Sequence, residues 1–140
     1  MKLSKIISAL LISILLTSTA FAASIAVIVH PSNSLSDASK DEIKRLFLSK
    51  TDAIKGKKLK AVAQNNSQAI RIVFDEDVLG KNPSKVKAYW ARMVFTASGM
   101  PPPELDSNAA IIKWVSENPD AIGYIEDSAV NDSVKVLKSL

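Results

Sequence analysis

Five consecutive apolar residues, Ile25-Ala26-Val27-Ile28-Val29, mostly β-branched, form a run with no polar alternation. Such a run predicts a strand buried on both faces, as in a parallel or mixed sheet covered by helices. His30-Pro31-Ser32-Asn33-Ser34 ends it with turn-forming residues. Ser39 stands three positions before Glu42, the S-x-x-E spacing of a capping box, and Ile43, Leu46 and Phe47 follow at i, i+3, i+4. A helix is expected there. Residues 55–58 read as a solvated turn, and residues 59–63 as a short strand. Beyond the polar cluster Gln64-Asn65-Asn66-Ser67, the residues Ile70, Val73, Phe74 and Val78 line one side of a second helix, which Gly80 stops in the place of a left-handed cap.

Asn82-Pro83 restarts the chain as N-cap and first helical residue. Val86, Tyr89, Trp90, Met93 and Val94 then mark the clearest amphipathic helix, with its aromatic stripe turned to the core. The prolines of residues 99–103 impose an irregular loop. Ser107 caps a helix carrying Ile111, Trp114 and Val115, which Pro119 ends, and residues 121–125 and 134–137 read as strands. Helices separating short buried strands predict an α/β layered domain.

The first 22 residues belong to a different pattern. Lys2 and Lys5 precede an apolar run over residues 6–16, and Ala20-Phe21-Ala22 supplies an A-x-A site before Ala23. These are the parts of a cleaved secretory signal peptide. The run falls short of the ~20 residues that cross a bilayer, and no Cys follows to carry a lipid. The expectation is export to the periplasm, a single domain over residues 23–140, and no membrane insertion of the processed chain. Of 18 Lys plus Arg and 14 Asp plus Glu, Lys2 and Lys5 leave with the peptide, so 18 − 2 = 16 against 14 gives a net charge of +2. That balance removes the case for a nucleic-acid binder. No Cys and one His exclude thiolate zinc sites, Cys nucleophiles and multi-His metal centres. No phosphate-binding glycine loop, dinucleotide fingerprint or serine-nucleophile elbow occurs. The sequence therefore predicts neither an enzyme nor a cofactor protein.

Two segments could carry ligand chemistry. Gln64, Asn65, Asn66 and Ser67 lie at a strand-to-helix junction, where free helix N–H groups and the positive end of the dipole attract an anion, with Arg71 one turn further on. Ordinary N-capping by Asn66 or Ser67 accounts for the same residues. Ser32, Asn33 and Ser34 follow the first strand, and ligands of open α/β sheets gather at carboxyl ends of strands; a plain tight turn accounts for them equally. His30 lacks a second ligand and reads as a surface or capping group. Asp75-Glu76-Asp77 reads as a solvated face, and the lysines of residues 55–60 as a hairpin-like turn.

The stretch Lys40-Asp41-Glu42-Ile43-Lys44-Arg45-Leu46-Phe47-Leu48-Ser49-Lys50 resembles the S-K-D-E-L-x-x-I-F-x-G-K segment of phosphate ABC-transporter substrate-binding proteins. Ala121-Ile122-Gly123-Tyr124-Ile125, preceded by Trp114-Val115 and Asn118-Pro119, is similar to that family's V-x-x-x-P-G-A-I-G-Y-V stretch. The similarity covers most of the chain after residue 22. It implies one lobe of a periplasmic-binding-protein type II fold, a mixed sheet flanked by helices. It also implies binding of phosphate or another small oxyanion linked to ABC transport, with a transporter component or a second chain as partner. The family's S-G-T at the phosphate-cradling helix is replaced here by Gln68, Ala69 and Ile70, its upstream basic residue falls near Gln64, and Ser67 lies one position early. The opening G-A-G-A-T-type loop has no counterpart. An accessory or interaction module that kept the fold and lost the ligand therefore stands as the alternative.

Overall fold

A computed structural model describes residues 24–140; the expected signal peptide lies outside the described residues. In chain order the elements are β1 (Ile25–Val29), α1 (Lys40–Phe47), β2 (Ala53–Ile54), β3 (Lys57–Lys58), β4 (Lys60–Ala61), β5 (Ala63–Gln64), α2 (Ala69–Asp77), α3 (Pro83–Phe95), β6 (Glu104–Leu105), α4 (Asn108–Glu117), β7 (Ala121–Glu126) and β8 (Lys135–Ser139). A four-stranded mixed sheet, ordered β4-β7-β1-β8, forms the centre. β1 is antiparallel to both β7 and β8, and β4 runs parallel to β7.

All five residues of β1 are buried, because each face of the sheet is covered. Val27 and Val29 of β1, with Ile122 and Tyr124 of β7, turn toward Ile43 and Phe47 of α1, Phe74 of α2 and Trp90 of α3. Ala26, Ile28 and Ile125 turn the other way, onto Ile111 and Val115 of α4. The period-2 alternation of the strands thus feeds two cores, and the mixed α/β architecture is as the sequence implied.

Local chemistry sets three of the four helix starts. Ser39 Oγ accepts from Glu42 N at 3.1 Å while Glu42 Oε2 accepts from Ser39 N at 2.7 Å, a complete capping box on α1. Asn82 Oδ1 takes Lys85 N at 2.9 Å ahead of Pro83, and Ser107 Oγ takes Ala110 N at 3.0 Å. Lys55 and Gly56 both have positive φ (48° and 78°), as a two-residue turn between β2 and β3 requires. Gly80 takes the left-handed conformation after α2 (φ 66°).

Three details differ from the sequence reading. The strand expected over residues 59–63 divides: β4 pairs with β7, Val62 N still donates to Ile122 O at 2.9 Å, and Ala63 N then turns to Pro103 O, so that β5 pairs with β6. Val94 is 48% exposed, since eight residues of helix rotate it about 80° from Val86 and off the buried stripe. Trp114 is 44% exposed at the edge of the α4 stripe. No helix of the described residues is long and apolar enough to cross a membrane.

Candidate functional site

The β5–α2 junction is anchored by Gln64, which has no exposed surface. Its backbone N donates to Tyr124 Oη at 3.2 Å, and its Nε2 donates to Asn108 Oδ1 at 2.8 Å and to Tyr124 O at 3.4 Å. Its Oε1 is buried without a partner. Asn65 closes a local turn: its Oδ1 accepts from Ser67 N at 3.1 Å and from Ser67 Oγ at 2.6 Å. The cap expected from Asn66 or Ser67 does not form. Gln68 holds the N-cap position with no side-chain hydrogen bond to the helix, because its Nε2 donates to Asp106 O at 2.7 Å instead. The first turn of α2 therefore has no side chain on its N–H groups, unlike α1, α3 and α4.

Arg71 is committed within the protein. Its Nε donates to Asp75 Oδ2 at 2.9 Å and Oδ1 at 3.1 Å, and its Nη1 to Gln64 O at 2.8 Å and Glu104 Oε1 at 3.1 Å. Burial works against the guanidinium charge, but the two carboxylates outweigh it and raise the Arg71 pKa. Burial raises the Asp75 pKa, with Arg71 pulling it back. Asp75 is thus not part of a solvated face as its sequence neighbours suggested; Glu76 and Asp77 alone are exposed, and Asp75 points inward because it shares the face of Arg71 at i, i+4. Asn66, Arg71, Asp75 and Glu104 line one side of an open cleft of about 470 Å³, whose other wall includes Val86, Lys87 and Trp90 of α3.

Ser32, Asn33 and Ser34 lie elsewhere. Val29 pairs with Ile122 near the start of β7, whereas β4 and β5 follow β7 toward its end, so the two candidate segments leave opposite ends of the sheet. The two segments are not brought together, because β1 runs antiparallel to β7. Ser32 Oγ pairs with His30 Nδ1 at 2.7 Å, and buried Asn33 accepts Leu35 N on its Oδ1 at 2.9 Å while its carbonyl accepts from Lys135 Nζ. These contacts are those of a structural turn. Asp75 was within reach of a sequence reading through its i, i+4 spacing; Tyr124, Asn108 and Glu104 were not, being 60, 44 and 33 positions from the groups they hold. Among the described residues no group of His, Cys, Asp and Glu is placed to hold a metal ion.

No protein-family model matches the sequence, and no curated protein does. Solved structures do match. An ABC-type phosphate transport receptor from Vibrio cholerae superposes with a TM-score of 0.66 at 21% identity, over 83% of this chain and 46% of its own. A Clostridium perfringens chain described as a phosphate ABC-transporter substrate-binding protein, with bound phosphate, gives 0.62 at 24% identity, over 83% and 45%. PstS from Borrelia burgdorferi gives 0.60 at 14%, over 82% and 47%. The chain spans less than half the length of each. This chain thus shares the fold of these solved phosphate-transport proteins, across less than half of the length of each.

Proposed function

We propose that this chain is an exported solute-binding lobe that holds phosphate or a similar small oxyanion at the β5–α2 junction and serves an ABC transporter. The uncapped start of α2 carries the reading. Arg71 N turns back to Gln68 O at 3.0 Å, but the N–H groups of Ala69 and Ile70 receive no capping side chain, and the dipole places partial positive charge among them, so an oxyanion supplies the missing acceptor. Ser67 and Asn66 stand beside that turn. The proteins that share the fold are described as phosphate receptors, which supports the same ligand class.

Arg71 adds little attraction, because Asp75 and Glu104 bring two carboxylates against its one charge. Binding then rests on backbone donors. That engagement of Arg71 is also the observation favouring the second reading, an accessory module with the fold and no ligand.

Replacement of Ala69 by Pro separates the two. Proline is accommodated at the first helical position, and Gln68 already has the extended backbone (φ −85°, ψ 131°) that precedes a proline. The substitution removes one N–H donor and leaves the fold intact. Inorganic phosphate should raise the melting temperature of the wild type above a chloride control of equal ionic strength, since a ligand at about 100 times its Kd adds ~2.7 kcal/mol of stability. Ala69→Pro should melt at or above the wild-type temperature and lose the phosphate shift. A wild type indifferent to phosphate would leave the accessory reading.

A further inference from the structure

Three cations without an acidic partner among the described residues gather away from the β5–α2 junction, on the outer side of α3. Lys85, Ala88, Arg92 and Phe95 fall at i, i+3, i+7 and i+10, one stripe of the helix. All four are exposed, and Phe95 is exposed at 91%, more than any other large apolar residue among those described. Lys81 joins them from the α2–α3 turn, its Nζ lying 5.3 Å from the centre of the Tyr89 ring. Lys81, Lys85, Ala88, Tyr89 and Arg92 line a hollow of about 230 Å³ with no carboxylate in its wall. Among the described residues neither Lys81, Lys85 nor Arg92 has an acidic side chain within salt-bridge distance, in contrast to Arg71, which has two.

We infer that this stripe docks an acidic protein segment that also carries an apolar side chain. Like charges gathered on one face without counterions are complementary to a negative surface. Arg and exposed aromatic residues are the types that anchor protein interfaces. The cations extend from Lys85 to Arg92, about 10 Å along the helix axis, a span that matches carboxylates spaced along a chain. Phe95, one turn beyond Arg92, receives the apolar side chain. A bilayer surface would require a broad apolar face beneath the cations, whereas the stripe ends in a single aromatic ring. A symmetric pairing of two copies would set the cations against each other.

The test uses a fluorescein-labelled synthetic peptide of glutamates around a central leucine, with fluorescence anisotropy read on the full chain at low and physiological salt. The wild type should bind saturably and more weakly as salt rises. The double variant Lys85→Glu, Arg92→Glu should lose about tenfold or more in affinity, and Phe95→Ala about fivefold with the salt dependence kept. Lys113→Glu on α4, an exposed cation outside the stripe, should behave as the wild type. Circular dichroism on each variant reports the fold, which surface changes leave in place. The proposal is overturned if the peptide fails to saturate the wild type, or if Lys113→Glu loses as much as the double variant. It is overturned equally if phosphatidylglycerol vesicles hold the chain more tightly than the peptide does, or if light scattering shows a dimer that the double variant abolishes. Phosphate binding at α2 uses none of these residues, so its success or failure does not touch this result.

Discussion

Tyr124 shows how one buried side chain joins the strands to the candidate site. It has no exposed surface, it stacks on Phe74 with ring centres 3.8 Å apart, and its Oη accepts the Gln64 N–H that starts the junction. Burial raises its pKa well above the ordinary value of 10. The folded state therefore holds the neutral phenol while the unfolded chain ionises near pH 10. Stability from this residue is intact below pH 10 and is lost as pH rises past it toward the folded value, at up to ~1.4 kcal/mol per pH unit. Tyr124→Phe should cost about 1–3 kcal/mol at neutral pH, by stripping Gln64 N of its acceptor. The variant should then lose less stability than the wild type between pH 8 and pH 11 in urea titrations; parallel losses would refute the assignment. Asp75→Ala should cost about 3 kcal/mol or more, because it leaves Arg71 largely buried with its charge half met. Glu104→Ala, at a side chain 42% exposed, should cost ~1 kcal/mol or less. Denaturant midpoints for the two should rank in that order.

At the scale of elements, capping is where sequence and structure agree most closely, because a cap is made by residues within four positions of each other. Ser39→Ala should remove about 1 kcal/mol from stability, measured by chemical denaturation, since it deletes the Oγ that accepts from Glu42 N while leaving the backbone bond to Glu42 Oε2. Gly123 belongs to the opposite case. A Cβ there would stand 2.8 Å from Ile111 Cγ2 and 3.1 Å from Val62 Cγ1, so it is the close approach of α4 to β7 that requires glycine. Gly123→Ala should destabilise by about 1–3 kcal/mol through overpacking; a melting temperature equal to that of the wild type would mean that α4 moves away freely. The α2 start is the element where local reading failed. Asn66 and Ser67 have capping chemistry, but Asn65 takes Ser67 into its own turn and Asp106 O takes Gln68.

For the whole molecule, the decisive feature is that the junction borders a cleft, walled by α2 and α3, that stays open to solvent. Tight small-molecule sites bury about 70–90% of the ligand, which two-lobed receptors achieve by closing. The fold neighbours are more than twice the length of the matched region. Phosphate bound to this chain alone should therefore show a Kd no tighter than ~10 μM by calorimetry, about −7 kcal/mol. Submicromolar binding by a species of monomer mass in light scattering would contradict this; the same affinity in a species of twice the mass would point to a second chain over the cleft.

The sequence by itself determined the buried first strand, the capped starts of α1, α3 and α4 and the left-handed stop at Gly80, all of which follow from periodicity and short-range hydrogen bonding. It also carried the resemblance that the fold comparisons support. Only the tertiary structure decided the direction of β1 relative to β7, and with it the separation of Ser32, Asn33 and Ser34 from Gln64, Asn65, Asn66 and Ser67. It decided as well that Arg71 is spent on Asp75 and Glu104, and that Lys81, Lys85 and Arg92 find no acidic partner among the described residues. Strand direction and ion pairing depend on groups tens of residues apart, which local pattern does not encode.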